Sequence, residues 1–337
     1  RWDLSNLKDL METNDMTIRV MIQMPISVGI KTVFDERDDI ECEEFSELSE
    51  DNIVQHIGNY DAAILGAHPF TERIVAAASR LKIVSRFGVG YDSVDVDALT
   101  RANIPLTVVG TANSVTVAEH ALMFMLALAK RTITFDKEVR QGIWSRWDYP
   151  AVDLAGRKVL ILGFGRIGRR LVKRCLGMEM HVLVHDPYVI QDAIATAGAI
   201  PVDDWRVTLP DLDFLSVNCL KNAETDGMVG SSELSAMKKT AYVVNTARGG
   251  IVDETALFEA LKGEAIAGAG IDPYVVEPAP ADHPLFTLRN ILVSPHSAGV
   301  SEESIYRMGY WAAKNITDFF DGKLNPGNVI NGEVELR

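Results

Sequence analysis

The sequence predicts an α/β protein built on parallel sheets, and three observations carry that prediction. Short apolar runs alternate with helical patterns, once in each half of the chain. The runs are nearly continuous rather than alternating, as strands covered on both faces must be. One of them ends in a glycine-rich turn that opens a helix. At 337 residues the chain has room for two domains. With 47% hydrophobic and 24% charged residues, it can bury two cores and is too apolar for a disordered chain.

Residues 1–15 lack periodicity and read as a loose extension, polar and charged unlike a secretory leader. Ile18–Ile22 is the first strand, followed by an acidic stretch of weak periodicity over 35–51. Residues 61–65 and 82–85 are short apolar strands. Between them 71–80 reads as a helix, with Thr71 as N-cap and Glu72 in the first turn. Residues 106–109 form a further strand. A long helical pattern over 115–131 ends in Lys130 and Arg131, which suit the negative end of a helix dipole. Residues 141–155 are irregular and hold Trp144, Trp147 and Tyr149. The second alternation has strands at 158–162, 181–185, 214–219, 242–245, 265–271 and 291–293, and 302–321 reads as a last helix. No short-period repeat or low-complexity segment interrupts the pattern.

The charge balance narrows the partners. There are 33 Lys and Arg against 47 Asp and Glu, a formal net charge of −14. Such a chain is repelled by phosphate backbones and anionic membranes unless it carries a basic patch, and no Lys/Arg run makes one. The most apolar helix pattern contains Glu119 and His120 and is too short to span a bilayer. Cys42, Cys175 and Cys219 have no metal-ligand spacing and read as free thiols. These features predict a soluble cytoplasmic protein that binds neither nucleic acid, membrane nor metal.

The turn after 158–162 reads Gly163-Phe-Gly165-Arg166-Ile167-Gly168. Gly163 permits the tight turn, Gly165 lets the backbone approach a pyrophosphate, and Gly168 lets the helix pack close on the sheet. The helix then points its free N–H groups at the phosphates. The next strand ends in Asp186, 18 residues past Gly168. A carboxylate there accepts from the adenosine ribose hydroxyls and repels a 2′-phosphate, so the pattern predicts NAD rather than NADP. Arg166, Arg169 and Arg170 stand close by and read as exposed residues of the helix start.

Later strands of such a sheet deliver their C-terminal ends to the cofactor crevice. Three ionisable residues follow successive strands: Arg248 in Asn245-Thr-Ala-Arg-Gly-Gly, Glu277 after Asp272-Pro-Tyr-Val-Val, and His296 in Ser294-Pro-His-Ser. Hydride transfer at a 2-hydroxy acid needs a cation to hold the carboxylate and polarise the C2–O bond, and the guanidinium fork fits. It also needs a group that takes or returns the hydroxyl proton, which imidazole does near neutral pH. A carboxylate completes the set by orienting that imidazole and stabilising its charged form. Arg248, His296 and Glu277 match these roles in that order.

The chain resembles the D-isomer-specific 2-hydroxyacid dehydrogenase family over about 18–326. The resemblance rests on Phe87-Gly-Val-Gly-Tyr-Asp92, the Gly163–Gly168 turn, 245–254, 272–278 and Pro295-His-Ser-Ala-Gly299. The intervals of 29 residues from Arg248 to Glu277 and 19 from Glu277 to His296 fit the family. The resemblance implies two Rossmann-like doubly wound domains. A discontinuous, flavodoxin-like substrate domain would take 16–113 plus 298–337, and an NAD-binding domain 114–297. Helices 115–131 and 302–321 would cross between them, with the crevice at the hinge. It further implies that backbone N–H groups of Val89 and Gly90 hold the substrate carboxylate and that Thr116 and Asp272 contact the cofactor, the latter at the nicotinamide amide. Asn218, Cys219, Thr225, Thr246, Ala247, His296, Ala298 and Gly299 complete the implied cofactor site. On physical grounds alone, 87–92 is a Gly-rich loop able to form an anion nest. Similar members form homodimers through the cofactor domain, and the aromatic 144–149 segment suits either that contact or a buried core.

Two departures bear on substrate. Asn218 and Leu220 stand where the family usually has His and Pro, which alters the shape of the cofactor pocket. Residues 85–99, 113–131 and 142–146 look most like the 3-phosphoglycerate dehydrogenase branch, yet the loop Gly66-Ala-His68-Pro-Phe-Thr71 lacks that branch's phosphate-binding Arg. The chain also ends before an added regulatory domain, so feedback control by an amino acid is not expected. The expected substrate is therefore 3-phosphoglycerate-like, or hydroxypyruvate, glyoxylate or another small 2-oxo acid. Formate oxidation is disfavoured, because that branch has Gln at the place of Glu277. The rival from another class is an NAD(H)-sensing interaction protein of the corepressor type, since fold alone does not settle function.

Overall fold

The computed structural model describes residues 17–148 and 150–335. The expected extension over 1–15 and Tyr149 lie outside the described residues. The chain forms two compact units, one made of the described residues up to Asn113 and from Ser301 onward, the other of Ser114–Val300.

The first unit opens with β1 (Ile18–Ile22), α1 (Val28–Phe34), β2 (Ile40–Glu44), α2 (Glu50–His56), β3 (Ala62–Leu65), α3 (Glu72–Ala77), β4 (Ile83–Arg86), α4 (Val96–Arg101) and β5 (Leu106–Thr107). The second runs through α5 (Ser114–Ala129), α6 (Thr132–Arg140), β6 (Lys158–Leu162), α7 (Arg166–Gly177), β7 (His181–His185), α8 (Gln191–Thr196), β8 (Ile200–Pro201), β9 (Phe214–Val217), α9 (Ser231–Ala236), β10 (Tyr242–Asn245), α10 (Glu254–Lys262), β11 (Gly268–Ile271) and β12 (Ile291–Val293). The chain then returns to the first unit as α11 (Glu302–Phe320).

Both sheets are parallel throughout. Strand order is β2-β1-β3-β4-β5 in the first unit, a flavodoxin-like order, and β12-β11-β10-β9-β6-β7-β8 in the second. The latter is the doubly wound dinucleotide-binding order with one strand added, and it reverses between β6 and β9. The continuous apolar runs have a direct cause. In β6, Leu160 and Leu162 point into one core while Val159 and Ile161 point into the other, and Val20, Met21 and Ile22 of β1 divide in the same way.

Several elements differ from the sequence reading. The acidic stretch at 35–51 contains β2, which among the described residues is an edge strand paired only with β1, and whose side chains from Glu41 to Glu44 are all exposed. With no face to bury, it shows no apolar pattern. The helix expected at 71–80 ends at Ala77, and the Thr71 hydroxyl bonds Glu50 instead of capping the helix. The helix expected over 115–131 spans Ser114–Ala129. Lys130 pairs with Asp153, and Arg131 takes a left-handed conformation that starts α6. Nothing on α6 is buried, which explains why no periodicity announced it. Trp144 and Trp147 are 80% and 81% exposed, which removes the buried-core reading of that segment.

Candidate active site

The site in the second unit begins where the strand order reverses. Gly163, at the end of β6, has a positive φ of 99°, and a Cβ there would lie 2.8 Å from the Cys219 nitrogen and 2.9 Å from the Asn218 carbonyl. The turns after β6 and β9 therefore touch, and only glycine fits between them. At Gly168 a Cβ would fall 2.0 Å from the Gly163 carbonyl oxygen, whereas at Gly165 it would meet nothing within 4 Å. The open space at Gly165, above the start of α7, is the room a pyrophosphate needs.

Asp186 follows β7 beside this turn. One of its oxygens accepts from the Phe164 N–H at 2.7 Å and the other from the Tyr188 N–H at 3.0 Å. Of the three nearby arginines, Arg169 lies over the Phe164 ring, 4.2 Å from its centroid, and Arg170 donates to the Ser114 hydroxyl at 2.8 Å. Arg166 is exposed and Ile167 half-buried in the first turn of α7, and Thr116 is half-buried in that of α5. Two buried oxygens near the loops have no partner among the described residues: Asn218 Oδ1 and Thr246 Oγ1. Unpaired oxygens in dry surroundings call for a ligand donor. These features together fit a dinucleotide. Thr225 closes the loop after β9, donating to the Leu220 carbonyl at 2.7 Å. Burial pushes the Cys219 thiol up to about 11 and the Cys175 thiol up to about 12, so neither is a ready nucleophile.

Arg248, Glu277 and His296 follow three neighbouring strands, β10, β11 and β12. The turn bearing Arg248 is built by Asn245, which accepts from the Ala247 N–H at 3.0 Å and donates to the Arg248 carbonyl at 2.8 Å. Arg248 itself donates to the Ala247 carbonyl at 2.7 Å. At Gly249 a Cβ would sit 2.0 Å from the carbonyl carbon and oxygen of Tyr274, so this turn lies directly on the segment after β11. Tyr274 in turn donates its N–H to Glu277 at 2.8 Å, and the second Glu277 oxygen lies 2.7 Å from His296 Nδ1. Burial, with Asp272, Glu254 and Glu277 nearby, pushes the Tyr274 hydroxyl up to about 12. The His296 and Glu277 side chains are 43% and 37% exposed, accessible to a reactant.

Asp272 follows β11, beside the loop that carries His296. It is fully buried, and its carboxylate accepts from the Ser297 N–H at 2.8 Å, the Ala298 N–H at 2.9 Å and the Ser294 hydroxyl. Its carbonyl takes the His296 N–H at 3.0 Å. Its carboxylate therefore faces the loop that carries His296. Ala298 is buried and Gly299 half-buried beyond it. Ser294 and His120 join this network; by sequence His120 reads as a structural residue of the long helix, and Ser294 carries no role of its own.

In the first unit, Val89 and Gly90 lie half-buried in the loop after β4. Arg86 fastens that loop, donating through Nε to the Gly90 carbonyl at 2.6 Å and through Nη1 to the Leu65 carbonyl at 2.8 Å. His68 is exposed. Among the described residues no group of three or more His, Cys, Asp or Glu side chains could hold a metal, and no helix is long and apolar enough to cross a membrane.

Known proteins agree with this geometry. Residues 122–298 match the family described as D-isomer specific 2-hydroxyacid dehydrogenase, NAD binding domain. A D-3-phosphoglycerate dehydrogenase of Archaeoglobus fulgidus is 32% identical over 93% of this chain, which spans only 59% of that relative's length. A glyoxylate reductase of Korarchaeum cryptofilum is 36% identical over 84% of this chain and 86% of its own. The solved structure of an NAD-dependent formate dehydrogenase from Staphylococcus aureus, in complex with NAD, superposes with a TM-score of 0.81 at 29% identity, covering 93% of this chain and 99% of that one. The sheet order, the glycine turn and these likenesses converge: the chain belongs to the D-isomer-specific 2-hydroxyacid dehydrogenase family, and its second unit carries the family's NAD-binding domain.

Proposed function

We propose that the chain is an NAD-dependent oxidoreductase that interconverts a D-2-hydroxy acid and its 2-oxo acid. The carrying observation is the 2.7 Å contact between His296 Nδ1 and Glu277. It spends Nδ1 on the carboxylate and leaves Nε2 to exchange a proton with the substrate oxygen. Glu277 orients the ring and stabilises its protonated form, and Arg248 anchors the carboxylate and polarises C2–O. NAD would lie over Gly163, Gly165, Arg166, Ile167 and Gly168, with its ribose on Asp186. Thr116, Asn218, Cys219, Thr225, Thr246, Ala247, Ala298 and Gly299 would complete the pocket. When bound, it supplies the hydride donor or acceptor.

The relatives named above are a dehydrogenase, a reductase and a formate dehydrogenase, which disfavours the corepressor-type reading. The substrate class is a small anionic 2-oxo acid, and the place of catalysis the cytoplasm. The deciding experiment follows NADH absorbance with glyoxylate, hydroxypyruvate and phosphohydroxypyruvate in turn. Oxidation with at least one acid supports the reading, and oxidation with none overturns it. The acid turned over most efficiently identifies the branch.

The quaternary state belongs to the same proposal. Ile133, Val139, Trp144 and Trp147 leave apolar surface exposed on α6 and the loop after it, and covering it with a second copy makes a homodimer. Light scattering on the purified chain should give twice the 37.1 kDa chain mass, and Trp147→Glu should halve it.

A further inference from the structure

His120 sits on α5, and its place follows from close packing. Gly270 of β11 lies so near α5 that a Cβ there would come 2.6 Å from the Phe124 ring. Phe124 meets the His120 ring edge-on, with centroids 4.6 Å apart. That contact holds the half-buried imidazole with Nε2 3.1 Å from the Ser294 hydroxyl. Ser294 has a single hydroxyl proton and gives it to Asp272, so its oxygen accepts from His120. Burial lowers the readiness of His120 to take a second proton, with Asp272 opposing, so the neutral Nε2–H form is the donor.

Downstream, Asp272 has no solvent to compensate a lost partner, and every bond that its carboxylate and carbonyl accept comes from the loop around His296. That loop needs holding. His296 has φ 50°, a left-handed conformation that a non-glycine residue keeps only when its surroundings over-determine it. Donation thus runs from His120 to Ser294 to Asp272, and the Ser297 and Ala298 N–H groups of the strained turn donate to the same carboxylate.

We infer that His120, acting through Ser294 and Asp272, is a positioning residue that holds the His296 turn in register with Glu277. The inference rests on the proposed acid–base role of His296 for its catalytic consequence but not for its structural one.

The test uses the full chain labelled with ¹⁵N in its histidine rings. A downfield Nδ1 proton held by Glu277 should be present in the unaltered protein and absent in His296→Ala, which assigns it. In Ser294→Ala and His120→Phe the signal should broaden or vanish. With NADH and glyoxylate, kcat should fall about tenfold while both KM values stay within about twofold, since displacement of a catalytic group costs rate rather than binding. His120→Gln places an amide donor near the Nε2 position and should restore both readouts. If His120→Phe does not fold, Ser294→Ala and His120→Gln carry the same comparison. An unchanged signal and kcat in Ser294→Ala and His120→Phe would overturn the inference. So would loss in His120→Gln equal to that in His120→Phe. Full turnover in His296→Ala would instead sink the acid–base reading, leaving the spectrum to judge the positioning.

Discussion

His296 reaches Glu277 through Nδ1 at 2.7 Å, while the other Glu277 oxygen is pinned by the Tyr274 N–H. The carboxylate cannot swing away without breaking a backbone bond, so the ring it orients has one preferred direction. Glu277→Gln keeps the shape and removes the charge. Turnover should fall about 10²-fold, and about 10³-fold in His296→Ala. NADH affinity, read by fluorescence, should stay within about twofold in both. Near-normal turnover in His296→Ala removes it from the chemistry.

Arg248 is held by its own turn, which spares it the entropy of finding a carboxylate. Arg248→Ala should lower kcat/KM for the 2-oxo acid about 10²-fold, through both parameters. Arg248→Lys should recover little, because a point charge lacks the two-pronged geometry. Full recovery by Lys would show that only the charge matters there.

Two glycines three residues apart, Gly165 and Gly168, should respond in opposite ways. Gly168→Val drives side-chain atoms into the Gly163 carbonyl and should cost about 3 kcal/mol of stability, visible as a lower melting temperature. Gly165→Val meets only open space, so melting of the apo chain should hardly move while the Kd for NADH rises about tenfold or more. Equal NADH affinity in Gly165→Val would place the pyrophosphate elsewhere.

Glu233 gives a pH signature remote from the chemistry. Burial opposes its charge, but Arg206, the Ser232 hydroxyl and the Gly230 N–H outweigh that and hold its carboxyl at about 2, against an ordinary 4.5. A carboxyl lowered on folding stabilises the native state above its unfolded value, and that contribution is lost as pH falls toward the folded one. Glu233→Gln should therefore cost about 2 kcal/mol at pH 7 in denaturant titrations. The gap should close between pH 4.5 and 2. A gap independent of pH would assign the effect to packing.

The parts legible in the sequence were those whose signal is local. The β6 run, the glycine turn and Asp186 lie within one strand–helix–strand unit, and each announces itself by residue type. Arg248, Glu277 and His296 were visible because parallel strands deliver their ends to one sheet edge. Elements that bury little stayed hidden: β2 shows no apolar face, and α6 none at all. The Asp272 network stayed hidden for another reason. Ser294 lies 174 residues from His120 and 22 from Asp272, so only packing of α5 on β11 reveals the bonds. Asp272 itself drew notice as an acid after a strand, but nothing local tells whether its carboxylate points outward or into the loop behind it.

The rim of the first unit has a consequence for how the molecule behaves in crowded solution. The outer side of an edge strand is a ready template for another chain's backbone, and among the described residues β2 presents one. Its exposed Glu41, Glu43 and Glu44 mean that two such rims meeting would confront each other with like charges. The same carboxylates that left the strand without an apolar pattern thus guard it against polymerisation, and neutralising them should make the protein prone to form fibres.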